Sequence, residues 1–258
     1  MERNDFEQHW QENDALDHPS PKIARAESFL QPLFNFAGDK QALNILDAGC
    51  GDGVHIRVLS KFSNVRKGRH CWGIDLSHTA LTNIKKRLST GPQPGGQAKW
   101  HLTQTDIGYL PFKNERFDAT FSYGVLAYTR EPEVSFSELY RVTKKNGLLG
   151  VWLYPKKTGL SGFLFSTIRT LCKTTGIYGT RLIADCIVPF LGLLPTQSKL
   201  TLANASWKQC REIVLVNIAP RQLIFPEKHD VEQWFHKYPC EIIEDDLENP
   251  ISIWGIKQ

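Results

Sequence analysis

Between residues 43 and 154 the sequence alternates short apolar runs with segments of helical spacing, and this alternation constrains the fold more than any other feature. The apolar runs predict five strands, at residues 44–46, 70–76, 99–105, 117–123 and 148–154. The helical spacing predicts helices at residues 54–62, 79–88 and 133–143, the second capped by Ser77 and the third closed by Gly147. Strands that alternate with single helices favour parallel βαβ units in an open, doubly wound sheet.

The alternation stops after residue 154, which indicates an insertion. Residues 155–227 contain no further βαβ unit, and apolar helical segments are predicted at residues 163–172, 180–194 and 206–218. A helix at residues 230–238 and strands at residues 240–243 and 251–256 follow. The simplest organisation is one α/β domain, residues 41–154 and 228–258, with a helical insertion at residues 155–227. In the N-terminal region, residues 1–40, Ser20-Pro21 can start a helix.

Charge and cysteine pattern argue against several classes of protein. A formal charge of +4, with the densest basic run at Lys85-Lys86-Arg87, is too mild for a dedicated nucleic-acid binder. The six cysteines form no C-x-x-C pair, so no metal site is predicted. The first residues lack the apolar core of a signal peptide, and no apolar run reaches the ~18 residues that a membrane span needs. A cytoplasmic protein is therefore expected.

The strongest chemical signal is a set of glycines at alternate positions, Gly49, Gly51 and Gly53, after the first predicted strand. Glycine permits a positive φ and lets the backbone approach a ligand closely. Dinucleotide sites use the related G-x-G-x-x-G spacing, but here the spacing is G-x-G-x-G, and Asp47 precedes the first glycine by two residues. A carboxylate there suits a ligand that carries an ammonium and a sulfonium, and it would repel a pyrophosphate.

Two further acidic residues follow the next two predicted strands. Asp75 ends the second strand, where a carboxylate can accept hydrogen bonds from both ribose hydroxyls. Asp106 ends the third strand and could hold an adenine amino group, with Leu76 and Ile107 on either side of the ring. The carboxyl ends of parallel strands meet at one edge of the sheet, so the three acids are expected to converge on one crevice. A helix-capping role is the alternative for each acid taken alone.

Four motifs follow one another between residues 46 and 154: LDAGCGDG, GIDLS, TDIGYLPFKNERFDATFSYGVLAYTREPE and ELYRVTKKNGLLGVWLY. In this layout the chain resembles the class I S-adenosylmethionine-dependent methyltransferases, in particular the broad group that acts on small molecules. The resemblance implies a Rossmann-like, seven-stranded, mostly parallel sheet with an antiparallel last strand, completed by the C-terminal helix and two strands. It also implies S-adenosylmethionine as the cofactor and S-adenosylhomocysteine as the product.

The same resemblance implies a set of cofactor-binding residues. The cofactor loop would comprise Asp47, Gly49, Cys50, Gly51 and Gly53, and Asp75 would bind ribose. Leu76, Asp106 and Ile107 would surround adenine, and Tyr123-Gly124 would lie beside the methionine moiety. Residues 6–10 resemble the segment that often folds over the cofactor in these enzymes, so residues 1–40 are predicted to form a helical cover.

Methyl transfer from a sulfonium is an in-line displacement, so alignment and desolvation of the reactants are its main requirements. A hydroxyl acceptor would benefit from a general base, and the candidates for a catalytic role are His9, Tyr128 and Tyr154. Packing or surface roles remain open for all three. His55 lies just inside the helix after the glycine loop and could face the cleft, but for His55 and His229 a surface or capping role is favoured. Many relatives carry two histidines where this chain has Ala127-Tyr128, so no role is inferred from those histidines.

The insertion is the most unusual part of the chain, because residues 160–194 interleave many apolar side chains with Arg169, Lys173 and Arg181. Three interpretations remain open: a lid over an apolar acceptor pocket, a helical subdomain with its own core, and an amphipathic surface that makes peripheral membrane contact. A lid favours a small-molecule or lipid-like acceptor, with O-methylation as the expected reaction.

Two other functions compete with this interpretation. The same core serves tRNA and rRNA methyltransferases, but the sequence offers no clustered basic, aromatic face, and no nucleic-acid partner is expected. A non-catalytic, methyltransferase-like binding subunit would be expected to have a damaged cofactor loop, whereas residues 47–53 and Asp75 are intact. The sequence does not indicate the oligomeric state.

Overall fold

The computed structural model describes residues 20–38, 40, 42–63, 70–90, 99–154, 159–193, 207–218, 223–246 and 251–258. Contacts divide the chain into two units. The α/β unit takes residues 2–155 and 224–258, and the helical unit takes residues 156–223. The predicted segment at residues 6–10 lies outside the described residues.

The described helices and strands of the α/β unit follow the predicted alternation. They are α1 (Ser20–Phe29), α2 (Gln31–Ala37), β1 (Asn44–Ala48), α3 (Val54–Ser63), β2 (His70–Asp75), α4 (His78–Thr90), β3 (Lys99–Gln104), β4 (Phe117–Tyr123), α5 (Pro132–Val142), β5 (Thr143–Leu153), α8 (Lys228–Lys237), β6 (Cys240–Asp246) and β7 (Ile251–Lys257), with a 3₁₀ turn at Leu126–Tyr128. The predicted cap is present, because the Ser77 hydroxyl accepts a hydrogen bond from the Ala80 N–H over 3.1 Å.

The sheet has seven strands in the order β3-β2-β1-β4-β5-β7-β6. Strands β1 to β5 pair in parallel, and β7 enters antiparallel between β5 and β6. The predicted fold class is confirmed. The chain order reverses direction on either side of β1, which leaves a crevice at the carboxyl ends of β1 and β4, the usual place for a ligand in such sheets.

One local prediction is wrong. Gly147 does not close the helix before the fifth strand, because α5 ends at Val142 and β5 begins at Thr143. Phe117 pairs with Thr143, whereas Ala119 pairs with Leu148, so residues 144–147 form an irregularity inside the strand. Asn146 has a φ of 58° there, and asparagine adopts this region more readily than most residues.

Apolar side chains pack against both faces of the sheet. On one face α1, α2 and α3 cover the sheet, and their buried side chains include Phe29, Leu33 and Val58. On the same face Ile56 and Ile84 pack with Leu102 of β3. On the other face the Trp72 ring of β2 packs against Phe112. Ala26 and Phe29 of α1, Leu30 between the two helices and Leu33 of α2 are buried.

The helical unit is built mainly from α6 (Gly159–Ile187), a 3₁₀ segment (Val188–Leu193) and α7 (Trp207–Ile218). Gly176 interrupts α6 with a φ of 66° and a ψ of −170°, so α6 consists of two helical stretches. Its core contains Cys172, Ala184, Val188, Val214, Leu215 and Ile218. In the described part of the chain, no helix combines the length and the apolar character needed to cross a lipid bilayer.

Candidate cofactor site

The glycine loop turns sharply after β1 and passes close to Val125, two residues after β4. Gly49 has a φ of 88°, and its N–H and that of Cys50 both donate to the Ile74 carbonyl over 2.8 Å. A Cβ on Gly49 would lie only 2.3 Å from Val125 Cγ2. Glycine is therefore required here both by the backbone conformation and by the close approach of two loops.

Asp75, the last residue of β2, joins the glycine loop to the turn before α4. Its Oδ2 accepts a hydrogen bond from the Gly51 N–H over 2.9 Å, and its Oδ1 accepts one from the Ser77 N–H over 2.9 Å. The carboxylate thus reaches the loop beside it, as expected for the carboxyl ends of neighbouring parallel strands.

Asp52, inside the loop, is held from both sides. Its side chain pairs with Lys22 of α1 and accepts a hydrogen bond from the Val54 N–H over 3.2 Å. Its carbonyl accepts a hydrogen bond from Arg87 of α4 over 2.6 Å. These contacts fix the loop between two helices that are distant from it in sequence.

Asp47, the fourth residue of β1, is 1% exposed. Neither of its carboxylate oxygens accepts a hydrogen bond from a described residue. Burial raises the pKa of this carboxyl well above its ordinary value, and the nearby charges of Asp75 and Asp52 raise it further. A buried carboxylate without a hydrogen-bond donor is costly, so Asp47 is the least satisfied polar side chain of the loop.

His55, at the start of α3, lies beside Asp47. It is 4% exposed, and its Nδ1 lies 4.0 Å from Asp47 Oδ2. Its ring centroid lies 4.7 Å from that of Tyr123 and 6.0 Å from that of Phe29. The surface or capping role expected for His55 is therefore wrong, because helix packing turns this side chain inward.

Tyr123, the last residue of β4, continues the same aromatic cluster. Its ring stacks on Trp152 with a centroid distance of 4.1 Å. Burial raises the pKa of Tyr123, the nearby Tyr154 raises it further, and Arg25 opposes the shift. The Tyr123 hydroxyl is therefore protonated at neutral pH and can donate a hydrogen bond.

The residues predicted to surround adenine differ in how exposed they are to solvent. Asp106 is exposed, and its Oδ1 accepts a hydrogen bond from the Gly108 N–H over 2.8 Å. Ile107 is 6% exposed, and Leu76 is partly buried. The Thr105 N–H donates to the Asp75 carbonyl over 3.1 Å, which places this loop beside the end of β2.

The candidate catalytic tyrosines lie after β4 and β5. Tyr154 follows β5 and is 41% exposed, and its Cε2 would lie 3.3 Å from a Cβ on Gly124. The Gly124 N–H donates to the Trp152 carbonyl over 2.7 Å. Tyr128 is half-buried at the end of the 3₁₀ turn. His9 lies outside the described residues.

The structure thus brings the predicted glycines together with Asp47, Asp75 and the Tyr123-Gly124 pair. Sequence reasoning missed Lys22 and Arg87, which hold the loop. For His55, which adjoins Asp47, the position two residues after Gly53 had indicated that the side chain could face the cleft.

Two other features of the described residues lie outside this site. A groove of about 990 Å³ is lined by Arg130, Glu131, Trp234 and Lys237, among others, and none of the predicted cofactor residues lines it. Across the described ranges, no group of three or more His, Cys, Asp and Glu is placed to hold a metal ion.

Residues 46–151 match a family described as a methyltransferase domain. A methyltransferase domain thus covers residues 46–151, in agreement with the resemblance to the class I S-adenosylmethionine-dependent methyltransferases. The cofactor of these proteins is S-adenosylmethionine, in agreement with the prediction. The matched stretch begins in β1 and ends in β5, so it contains both Asp47 and Asp75.

Named relatives agree on the domain and differ in what they act on. The chain is 28% identical over 130 residues to a sterol 24-C-methyltransferase of Gibberella zeae, covering 50% of this chain and 32% of that protein. It is 40% identical over 93 residues to a tRNA U34 carboxymethyltransferase of Vibrio vulnificus, covering 34% of this chain and 25% of that protein. The chain therefore spans about a quarter to a third of the length of these relatives.

The fold also matches solved structures. A methyltransferase from Aquifex aeolicus described as SAM-dependent aligns over 94% of this chain and 100% of its own, with a TM-score of 0.53 and 13% sequence identity. At this identity the likeness supports the fold alone.

Proposed function

We propose that this chain transfers the methyl group of S-adenosylmethionine to a small or lipid-like acceptor, at a hydroxyl oxygen. One observation carries the proposal: the buried Asp47 carboxylate accepts no hydrogen bond from a described residue, and it lies beside the loop that Asp75 holds. A site with two carboxylates and no basic residue among its predicted ligands favours a cationic ligand over a phosphate.

The residues present fit this cofactor. The Asp47 carboxylate would pair with the ammonium group of the methionine moiety. This pairing would offset the free-energy cost of burying a carboxylate that has no hydrogen-bond donor. Asp75, whose two oxygens each accept a backbone hydrogen bond, would also accept hydrogen bonds from the ribose hydroxyls. Leu76, Asp106 and Ile107 would surround adenine, and Tyr123-Gly124 would lie against the methionine chain.

When it is bound, S-adenosylmethionine supplies an activated methyl group on a sulfonium. The protein would hold the acceptor hydroxyl in line with that group and exclude water, and the hydroxyl proton would pass to solvent without a dedicated general base. The hydroxyls of Tyr154 and Tyr128 would orient the acceptor oxygen from the edge where β4 and β5 end. His9, the third catalytic candidate, lies outside the described residues.

The acceptor class is inferred from α6, because this helix exposes apolar side chains. Phe163, Leu164, Leu171, Tyr178 and Leu182 are all more than half exposed. The exposed Thr167, Thr170, Thr174 and Thr175 donate their hydroxyls to carbonyls of the same helix over 2.8–3.1 Å.

Because these hydroxyls already donate hydrogen bonds to the helix backbone, they do not depend on water as a partner. The surface of α6 can therefore contact an apolar environment. Lys173 and Arg181 add positive charge to the helix, and its acid Asp185 pairs with Arg211 over 3.0 Å. A surface that is apolar and basic favours a lipid-like acceptor presented by an anionic lipid surface.

Calorimetry with S-adenosylmethionine and S-adenosylhomocysteine tests the cofactor. We expect Asp75→Asn and Asp47→Asn each to weaken binding at least tenfold, because each removes a negative charge from the site. Glu241→Gln, which changes an exposed carboxylate on β6, is the matched control and is expected to bind normally. Wild-type protein that binds neither ligand at millimolar concentration would refute the proposal and favour a non-catalytic binding subunit.

A methyl-transfer assay with labelled cofactor tests the acceptor. We expect turnover with hydroxylated lipids or quinols, and a loss of lipid turnover in Leu171→Ser/Leu182→Ser with unchanged cofactor binding. Bulk tRNA is included because the Vibrio relative is named for a tRNA substrate. Turnover of tRNA with no turnover of small molecules would replace the proposed acceptor with a nucleic acid.

A further inference from the structure

Asp47 and His55 form a buried pair of titratable side chains at the base of the cofactor loop. They are 1% and 4% exposed, and His55 Nδ1 lies 4.0 Å from Asp47 Oδ2. This separation is too long for a hydrogen bond but short enough for strong electrostatic coupling in a region shielded from water.

The pair has distinct surroundings on its two sides. On the His55 side it packs against Phe29, Phe121 and Tyr123, with ring centroids 4.7–6.0 Å away. These rings exclude water and carry no charge at neutral pH.

On the Asp47 side the loop contributes negative groups. The charges of Asp75 and Asp52 both raise the pKa of Asp47. The charge of Asp47 in turn raises the pKa of the Cys50 thiol. From α1, Lys22 offsets the charge of Asp52 by pairing with it. A net negative, dry pocket of this kind retains a proton unless a cation enters it.

We propose that Asp47 and His55 share one proton in the free protein and release it when the cationic end of the cofactor binds. His55 is then a positioning residue that acts through Asp47. This inference rests on the proposed function. The balance is simple: the free pair carries one proton, the bound pair consists of an Asp47 carboxylate with a neutral His55, and the proton passes to solvent.

The sign of the pH dependence follows from this balance. Binding that releases a proton becomes tighter as the pH rises, by up to tenfold per pH unit while the pair is protonated. Once the pair has lost its proton, binding no longer changes with pH. Because two interacting groups hold the proton, its release occurs at a higher pH than for either group alone.

The first test uses the free protein and needs no cofactor. NMR of protein with labelled histidine rings follows His55, assigned by its loss in His55→Phe, a variant chosen to preserve the aromatic packing. We expect the midpoint of His55 titration to fall by at least one pH unit in Asp47→Asn, since the neighbouring anion is gone. An unchanged midpoint, or the absence of a His55 titration between pH 5 and 9, would overturn the shared proton.

The second test measures proton release. Calorimetry of S-adenosylmethionine binding in two buffers of different ionisation enthalpy gives the number of protons released at each pH. We expect about one proton below the midpoint of the pair and none above it, and a shift of this window to lower pH in His55→Phe. His236→Gln, an exposed histidine on α8, is expected to match wild type.

The outcomes separate the two proposals. Equal proton counts in wild type and His55→Phe, with intact binding, would overturn the role of His55 alone. Absence of binding at every pH would overturn the proposed function together with the coupling. A His55→Phe variant that unfolds would be replaced by His55→Gln, and thermal melting checks both variants.

Discussion

Replacing Gly49 with alanine tests whether the cofactor loop depends on the close approach seen in the structure. The φ of Gly49 is 88°, and an added Cβ would lie 2.3, 2.7 and 2.9 Å from Val125 Cγ2, Cγ1 and Cβ. Carbon atoms prefer separations of about 3.5–4.0 Å, so the two loops must move apart.

Two costs add in this variant. A positive φ costs a residue with a Cβ about 1–2 kcal/mol. Overpacking of a close contact costs about 1–3 kcal/mol more. We expect Gly49→Ala to lower the free energy of unfolding by about 2–5 kcal/mol, and the melting temperature by about 4–20 °C for a chain of this size.

Urea unfolding followed by circular dichroism measures the loss, and a double-mutant cycle divides it. Val125→Ala removes the two closest methyl groups, so Gly49→Ala/Val125→Ala is expected to recover about 1–2 kcal/mol relative to additivity. The cost of the positive φ remains in that double mutant. A loss below about 1 kcal/mol in Gly49→Ala, or no recovery in the double mutant, would refute the argument from close approach.

Three further predictions concern the sheet and its edges. Gly150→Ala places a Cβ 2.4 Å from the buried Trp254 ring, so we expect a loss of about 1–3 kcal/mol in urea unfolding. Hydrogen bonds from Arg141 lower the pKa of Glu138, and its stabilising effect is therefore present above the ordinary glutamate pKa and lost on acidification. The stability difference between wild type and Glu138→Gln should be constant above about pH 5 and shrink below about pH 4. Lys257→Met leaves two backbone carbonyls without their donor, so a loss of about 1–3 kcal/mol is expected in thermal melts.

Each of these has its own check. Trp254→Phe should relieve part of the Gly150→Ala defect, and equal losses in both backgrounds would argue against crowding. A Glu138→Gln difference that stays constant down to pH 3 would show that the Arg141 contact does not stabilise the fold. Lys257→Arg should retain most of the stability lost in Lys257→Met, because it keeps a donor in place.

The strands and the acids at their ends were predictable because they depend on local pattern. The run at residues 44–46 and the glycines after it predicted β1 and its turn, and Asp75 could be placed at the end of β2 from spacing alone. The bulge at residues 144–147 was missed because a glycine at position 147 is typical of a helix C-terminus. In the structure Thr143 already pairs with Phe117 of β4, so the strand begins four residues before Gly147.

The amino-acid sequence by itself determined the alternation of strands and helices, the glycine loop and the two carboxylates beside it, since these follow from periodicity and short-range chemistry. Only the tertiary structure decided that His55 turns inward onto Asp47, that Lys22 reaches Asp52 from 30 residues away, and that Gly49 abuts Val125. These contacts depend on how segments that are distant in sequence pack on a common sheet. The periodicity of a helix predicts its apolar face, but it does not predict which other element a particular polar side chain will contact.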